Sequence, residues 1–195
     1  MPARHPPIIL ASASPRRQSL LRQLGLGFRV YEPSVDEAGE AGEDPASHVR
    51  RVALAKARAA ARECKAGVII AADTLVVVDG QRLGKPASDE QAAAMLQRLA
   101  GREHRVVTAV AVMDAASGRT ETAVESTRVW FRPLDPEEIQ RYVATGEPRD
   151  KAGAYGIQGL GAVFVERIEG CYFAVVGLPL AVLARLLARF GIRVV

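Results

Sequence analysis

The sequence predicts an α/β fold in which helices flank a mixed, twisted sheet. Three observations carry that prediction. Short all-apolar runs have the character of strands buried on both faces, helices opened by a capping residue plus proline lie between them, and the middle of the chain is β-rich with hairpin turn signals.

Residues 8–11, Ile-Ile-Leu-Ala, are the first such run. Ser14 as N-cap and Pro15 at the first helical position then start a helix over 15–24, closed by Gly25. A second strand over 28–31 leads to a loop over 32–43 that holds Pro, Gly and acidic residues. Asp44-Pro45 repeats the cap-plus-proline signal and opens a helix running to about Cys64. Residues 68–72 are apolar throughout; Asp73 and Thr74 interrupt the run, 75–78 resumes it, and Asp79-Gly80 signals a hairpin turn. Ser88-x-x-Gln91 matches a capping box for a helix ending at Gly101. Two β-rich stretches, at about 105–113 and 120–131, are joined by a turn at Ser117-Gly118. Asp135-Pro136 with Glu138 caps a short helix to Thr145, and Gly146 ends it. The stretch 146–161 has five glycines and neither a helical nor a strand period. Two β runs, 162–168 and 172–176, precede an amphipathic helix over 180–190, with Val182, Leu183, Leu186, Leu187 and Phe190 on one face and Arg185 and Arg189 on the other. No repeat or linker divides the chain, so residues 1–195 are read as one domain.

At 195 residues, 49% hydrophobic and 25% charged, the chain can bury a sizeable core, which excludes a disordered, collagen-like or disulfide-scaffold protein. The apolar C-terminal stretch is broken at Arg185 and Arg189, short of the roughly eighteen residues that a membrane span needs. Residues 1–7 are rich in Pro and basic residues, and the apolar run after them is too short for a signal-peptide core, so a soluble, cytoplasmic protein is expected. Cys64 and Cys171 lack a CxxC partner and read as inert packing residues; His5, His48 and His104 lack zinc spacing, and Trp130 reads as core. The net charge of +4 favours anionic partners, yet no aromatic platform, zinc finger or concentrated basic tract points to nucleic acid. Of the 26 basic residues, 22 are Arg, and only Lys56, Lys65, Lys85 and Lys151 are Lys. In a chain that uses Arg so freely, a retained Lys could mark a position that needs a compact ammonium, the point charge that contacts phosphate; four leftovers of a general Arg bias are the alternative.

Four segments could carry chemistry. Ser12-Ala13-Ser14-Pro15-Arg16-Arg17 sits where a strand feeds a helix, and free N–H groups there, with two hydroxyls and two guanidinium groups, suit a polyphosphate. An ordinary Ser-Pro cap followed by solvated arginines accounts for that segment equally well. Asp73 is a lone carboxylate in an otherwise apolar run apart from Thr74, which costs energy unless the carboxylate is paired, ligated or facing a cleft; the alternative is an edge or bulge. Asp36 and Glu37 could hold Mg²⁺, with Lys56, Lys85 and Lys151 neutralising phosphate oxygens, provided that these groups converge on Asp73. In 150–159, glycines allow close backbone approach, and the Gln158 amide offers an acceptor and donors able to read a pyrimidine edge. Long loops in compact domains are usually functional, and Ala152, Ala154 and Ile157 look packed, against a mobile surface loop.

In order, Leu10-Ala11-Ser12-Ala13-Ser14-Pro15-Arg16-Arg17, Val35-Asp36-Glu37, Ala71-Ala72-Asp73-Thr74, Gly84-Lys85-Pro86, 150–159 and Val176-Gly177-Leu178-Pro179 make the chain resemble, over nearly its whole length, the Maf family of nucleoside triphosphate pyrophosphatases, historically tied to septum formation. The resemblance implies a fold similar to inosine triphosphate pyrophosphatases, two lobes around a cleft, a divalent cation (Mg²⁺ or Mn²⁺), and hydrolysis of a nucleoside triphosphate to the monophosphate and pyrophosphate. By position it implies that Asp73 is the proton acceptor and that Arg17, Thr74 and Gln158 set substrate choice. Ser12, Arg16, Glu37, Lys56, Lys85 and Lys151 match other polar site positions of the family; Ser12, Ser14, Arg16, Lys56, Lys85 and Lys151 are expected to bind phosphate, and Glu37 with Asp73 is expected to hold the metal. The Arg-Arg, Asp-Thr and Gly-Ile-Gln-Gly versions resemble the subgroup acting on dTTP and UTP; the sister subgroup, acting on 7-methyl-GTP, differs after the catalytic Asp and near Gln158. Cys171 is the one departure noted from the family pattern. Family habit also suggests a homodimer, with no nucleic-acid or membrane partner. The competing readings are a nucleotide-binding regulator of septum formation without turnover, or an enzyme of this family with another base preference.

Overall fold

The computed structural model describes residues 5–195; residues 1–4, part of the basic, proline-containing start, lie outside the described residues. The chain is mixed α/β. Its elements run β1 (Ile8–Ala11), α1 (Pro15–Gln23), β2 (Arg29–Tyr31), α2 (Pro45–Glu63), β3 (Val68–Val78), β4 (Gln81–Leu83), α3 (Asp89–Leu99), β5 (Glu103–Asp114), β6 (Thr120–Phe131), α4 (Pro136–Ala144), β7 (Val165–Glu169), α5 (Tyr172–Val176) and α6 (Leu180–Ala188). One seven-stranded sheet has the order β2-β1-β3-β5-β6-β7, with β4 beside β3. Strand β1 pairs parallel with β2 and β3, whereas β3/β4 and β6/β7 are antiparallel, which makes the sheet mixed. Among the described residues, no helix is long and apolar enough to cross a membrane.

Local chemistry explains most boundaries. Asp44 Oδ1 accepts from Ala46 N and Ser47 N, Ser88 Oγ accepts from Gln91 N, and Asp135 Oδ1 accepts from Glu138 N, so three of the expected caps are made. Ser14 holds the N-cap position of α1 but its side chain makes no capping bond; Pro15, with its fixed φ and no N–H to satisfy, opens that helix. Asp79 and Gly80, at φ 51° and 71°, form the expected tight turn between β3 and β4.

Strand β3 runs unbroken from Val68 to Val78, so Asp73 and Thr74 interrupt the apolar run without ending the strand. Three expectations need correction. The segment 172–176 is a short helix rather than a strand: the Cys171 carbonyl accepts from Ala174 N and Val175 N, and Cys171 is pinned to Thr127, whose Oγ1 accepts from Cys171 N at 3.0 Å. Residues 160–164 form a 3-10 turn before β7, and two more such turns, Glu147–Asp150 and Ala152–Ala154, divide the glycine-rich stretch. Trp130 is half-buried rather than core, because it points away from the packed face and lies between the guanidinium groups of Arg128 and Arg167, at 4.7 and 4.6 Å from its ring centre. Both cysteines are free and partly exposed.

The chain forms two compact units. The first comprises the described residues up to Asp73 with Thr108–Glu125 and Gly177–Val195, and the second comprises Thr74–Val107 and Ser126–Val176. One of the places where the chain passes from one unit to the other is the peptide bond joining Asp73 to Thr74. In the first unit, Leu20, Leu21, Ile69, Ile70, Leu178 and Leu183 are almost wholly buried. In the second, Phe131 packs edge to face with Tyr155 and Tyr142 with Phe164, at 4.7 and 4.8 Å between ring centres, and Phe131 and Phe164 meet at a tilt, 5.8 Å apart.

Candidate active site

In the first unit the buried stripe of α2 is His48, Val49, Val52, Ala53, Lys56, Ala57 and Ala60, a helical period that puts a lysine on the core face. Such a charge is stable only if paired. Lys56 Nζ donates to Asp73 Oδ1 at 2.8 Å and lies 2.6 Å from Glu37 Oε1. Lys56 and Asp73 are both buried, whereas Glu37 is about half exposed. Asp73 Oδ2 has no protein hydrogen bond among the described residues.

Glu37 reaches this pair on the 32–43 loop, which is fixed to α2. Arg51 Nε and Nη2 hold both carboxylate oxygens of Glu43 at 2.7 and 2.9 Å, Nη2 also donates to Ala38 O at 2.9 Å, and His48 Nδ1 lies 3.1 Å from Glu43 Oε2. The Arg51 fork is the main reason that Glu43 titrates at about 2, well below the usual carboxylate range. Asp36 Oδ1 accepts from Ala38 N at 2.8 Å and shapes the turn beside Glu37.

Arg17 joins the same unit from the first turn of α1. Its Nε donates to Gly177 O at 2.9 Å and its Nη1 to Ser12 Oγ at 3.3 Å, which gives the Val176-Gly177-Leu178-Pro179 motif a structural purpose. Burial pulls the Arg17 guanidinium below its ordinary value, while the Asp73 and Glu37 carboxylates oppose that shift and Arg16 adds to it. Ser12 Oγ also accepts from Ser14 N at 3.2 Å. Ser12 and Arg17 thus form one hydrogen-bonded pair and Glu37, Lys56 and Asp73 form another group, whose two carboxylates act electrostatically on the Arg17 guanidinium.

Thr74, Lys85, Lys151 and Gln158 belong to the second unit. Gly153 N donates to Gly84 O at 3.0 Å, which ties the segment after Lys151 to the loop holding Lys85. Gly153 is required twice over, with φ +69° and a Cβ that would meet Val76. Lys151 Nζ donates to Glu147 O at 2.6 Å and to Asp150 Oδ1 at 2.7 Å. Residues 153–157 are buried and Gln158 is exposed, so the segment is a packed loop presenting one amide outward.

Its organiser is a residue that sequence reasoning missed. Glu147 Oε2 accepts from Leu160 N at 2.8 Å, and Oε1 accepts from Gly161 N at 3.2 Å and Tyr142 Oη at 2.9 Å. Burial raises its pKa, but these three bonds outweigh that cost and the carboxyl titrates below its ordinary value. The signal was an acidic residue immediately before Pro148 in a stretch whose many backbone N–H groups had no strand or helix to pair with.

Among the described residues no group of three or more His, Cys, Asp and Glu side chains could enclose a metal. The donor set still fits a hard cation of the Mg²⁺ class, which takes one or two carboxylates and completes its shell with phosphate oxygens and water. Glu37 and Asp73, drawn to a common ammonium, are the carboxylates that would hold it.

Comparison with known proteins matches the family described as Maf-like protein over residues 7–190. A relative from Pelotomaculum thermopropionicum, named dTTP/UTP pyrophosphatase, is 54% identical over 96% of this chain and 98% of its own. One of the same name from Syntrophomonas wolfei is 52% identical over 93% of this chain and 96% of its own. A solved nucleoside-triphosphatase (dITP/XTP pyrophosphatase) from Mycobacterium abscessus is similar with a TM-score of 0.47 and 17% identity, over 94% of this chain and 96% of that one. With the family match spanning most of its length and half of its residues shared with such relatives, the chain belongs to the Maf-like proteins.

Proposed function

We propose that the chain hydrolyses nucleoside triphosphates, with dTTP and UTP preferred, to the monophosphate and pyrophosphate. The observation that carries this reading is the Glu37–Lys56–Asp73 group, a buried carboxylate held at one oxygen by an ammonium beside a second carboxylate. The dTTP/UTP pyrophosphatase name of relatives about half identical over nearly the full chain supports the substrate class.

Asp73 takes the proton of a water at its Oδ2 as that water's oxygen bonds to the α-phosphorus, and the bond from the α-phosphorus to the α,β-bridging oxygen breaks to release pyrophosphate. Lys56 fixes Oδ1 and so aims the carboxylate. A divalent cation at Glu37 and Asp73 supplies charge neutralisation and phosphoryl polarisation when bound. Arg16, Lys56, Lys85 and Lys151, with the hydroxyls of Ser12 and Ser14, bind phosphate oxygens and offset charge on the leaving group. Arg17, Thr74 and Gln158 set base choice, the Gln158 amide offering a donor and an acceptor to the pyrimidine edge.

The test is pyrophosphate release from dTTP, UTP, CTP, 7-methyl-GTP, ITP and the common triphosphates, with Mg²⁺ or Mn²⁺ and with chelator. Preferential turnover of dTTP and UTP is expected. Turnover led by another base would remove the roles of Arg17, Thr74 and Gln158, and binding without turnover would favour a nucleotide-sensing regulator.

A further inference from the structure

Residues 156–161 carry Gln158 but contain no strand or α-helix that would fix them, and Gln158 itself is exposed. They are nevertheless held on both sides of that residue. On one side Tyr142 Oη accepts from Gly156 N at 3.2 Å; on the other Glu147 accepts from Leu160 N at 2.8 Å and Gly161 N at 3.2 Å. The two anchors are one unit, because Tyr142 Oη donates to Glu147 Oε1 at 2.9 Å. The backbone of Gly159 lies so close to the Glu147 carboxylate that a Cβ there would collide with both of its oxygens. Glu147 also holds Lys151, whose Nζ donates to its main-chain oxygen. Tyr142 is buried under Phe164, with ring centres 4.8 Å apart, so the anchor is built into the core of this unit.

We infer that Glu147, braced by Tyr142, is a positioning residue for base selectivity: it fixes the main chain on both sides of Gln158 and so determines where that amide is presented. This rests on the proposed triphosphate hydrolysis and on the assignment of Gln158 to the base. A carboxylate is needed because it accepts from three donors at once; an amide oxygen in its place keeps part of this and loses the rest. Misplacing a reading group by about 1 Å can cost up to about 100-fold, whereas a loss of general stability affects all substrates alike.

The experiment compares wild type, Glu147→Gln and Tyr142→Phe by kcat and KM for dTTP, UTP, CTP and GTP, with amide hydrogen exchange of 156–161 followed in the same samples. The expected result is that both variants narrow the ratio of kcat/KM for dTTP over CTP and GTP by about tenfold or more, mainly through KM for the preferred bases. Exchange at 156–161 rises in both, and the double variant adds little to either single one. Unchanged selectivity in Glu147→Gln, beside a selective wild type, overturns the inference even if exchange rises. A wild type that hydrolyses none of these triphosphates overturns the proposed function and with it the selectivity role, leaving the exchange data to report a purely structural anchor.

Discussion

Lys56 Nζ lies 2.8 Å from Asp73 Oδ1, joining the core face of α2 to the middle of β3 through two buried charges. Taking both from water is costly, and their attraction offsets that cost only while both are present. Lys56→Met leaves the Asp73 carboxylate buried and uncompensated, with an expected loss of about 3–5 kcal/mol in urea unfolding at neutral pH. Adding Asp73→Asn should restore a substantial part of that loss. Equal stability of wild type and Lys56→Met would show that the pair is not energetically coupled.

Asp73→Asn keeps the shape and the hydrogen-bond acceptor at this position and removes the base. Pyrophosphate release from dTTP should fall by about 10²–10⁴-fold, the range attributed to positioned proton transfer. Calorimetric binding of dTTP should change far less, because the cations assigned to the phosphates remain. A rate near that of wild type would remove Asp73 from the chemistry.

Glu37 separates metal binding from proton transfer, since it shares the Lys56 ammonium but is about half exposed. Glu37→Gln is expected to raise the Mg²⁺ concentration for half-maximal turnover by about tenfold, in keeping with the loss of one of two carboxylate ligands. Excess chelator should abolish turnover, and Mn²⁺ binding followed by electron paramagnetic resonance should weaken in the variant independently of activity. Full turnover in chelator would exclude a required divalent cation.

Much of this site was legible because its signals are local. The lone carboxylate in 68–78 read as a site residue, and the structure gives it the partner that burial demands. Lys56 could have been assigned to the core face from its spacing with Val52, Ala53, Ala57 and Ala60 alone. Residues 172–176 were misread because five apolar, partly β-branched residues suit either state, and the choice is made by Thr127, which is 44 positions from Cys171 and holds its backbone. The Arg51 clamp was not legible and the Glu147 anchor left only the signal of an acidic residue before Pro148: each acts in part on main-chain atoms, Arg51 on Ala38 O and Glu147 on Leu160 N and Gly161 N, and main-chain partners leave no residue-type signature.

His104 gives a pH test independent of catalysis. It is buried against Phe131 and Tyr155, its Nε2 lies 2.8 Å from Tyr155 Oη, and its Nδ1 has no hydrogen-bond partner among the described residues. Burial lowers its pKa from 6.5 to about 4, with Glu103 opposing the shift more weakly. The unfolded chain therefore takes up a proton as pH falls through 6.5, while the folded chain resists until about 4. The stability contributed by the neutral ring is complete above 6.5 and is lost across that window, by on the order of 3 kcal/mol. His104→Phe removes this titration while leaving Glu103 and the other carboxylates in place. The urea-unfolding stability of wild type minus that of the variant should therefore decline from pH 7 to pH 4, even if the variant is less stable at pH 7 for want of a partner to Tyr155. A difference constant across that range would mean that the ring is already solvated or paired in the folded protein.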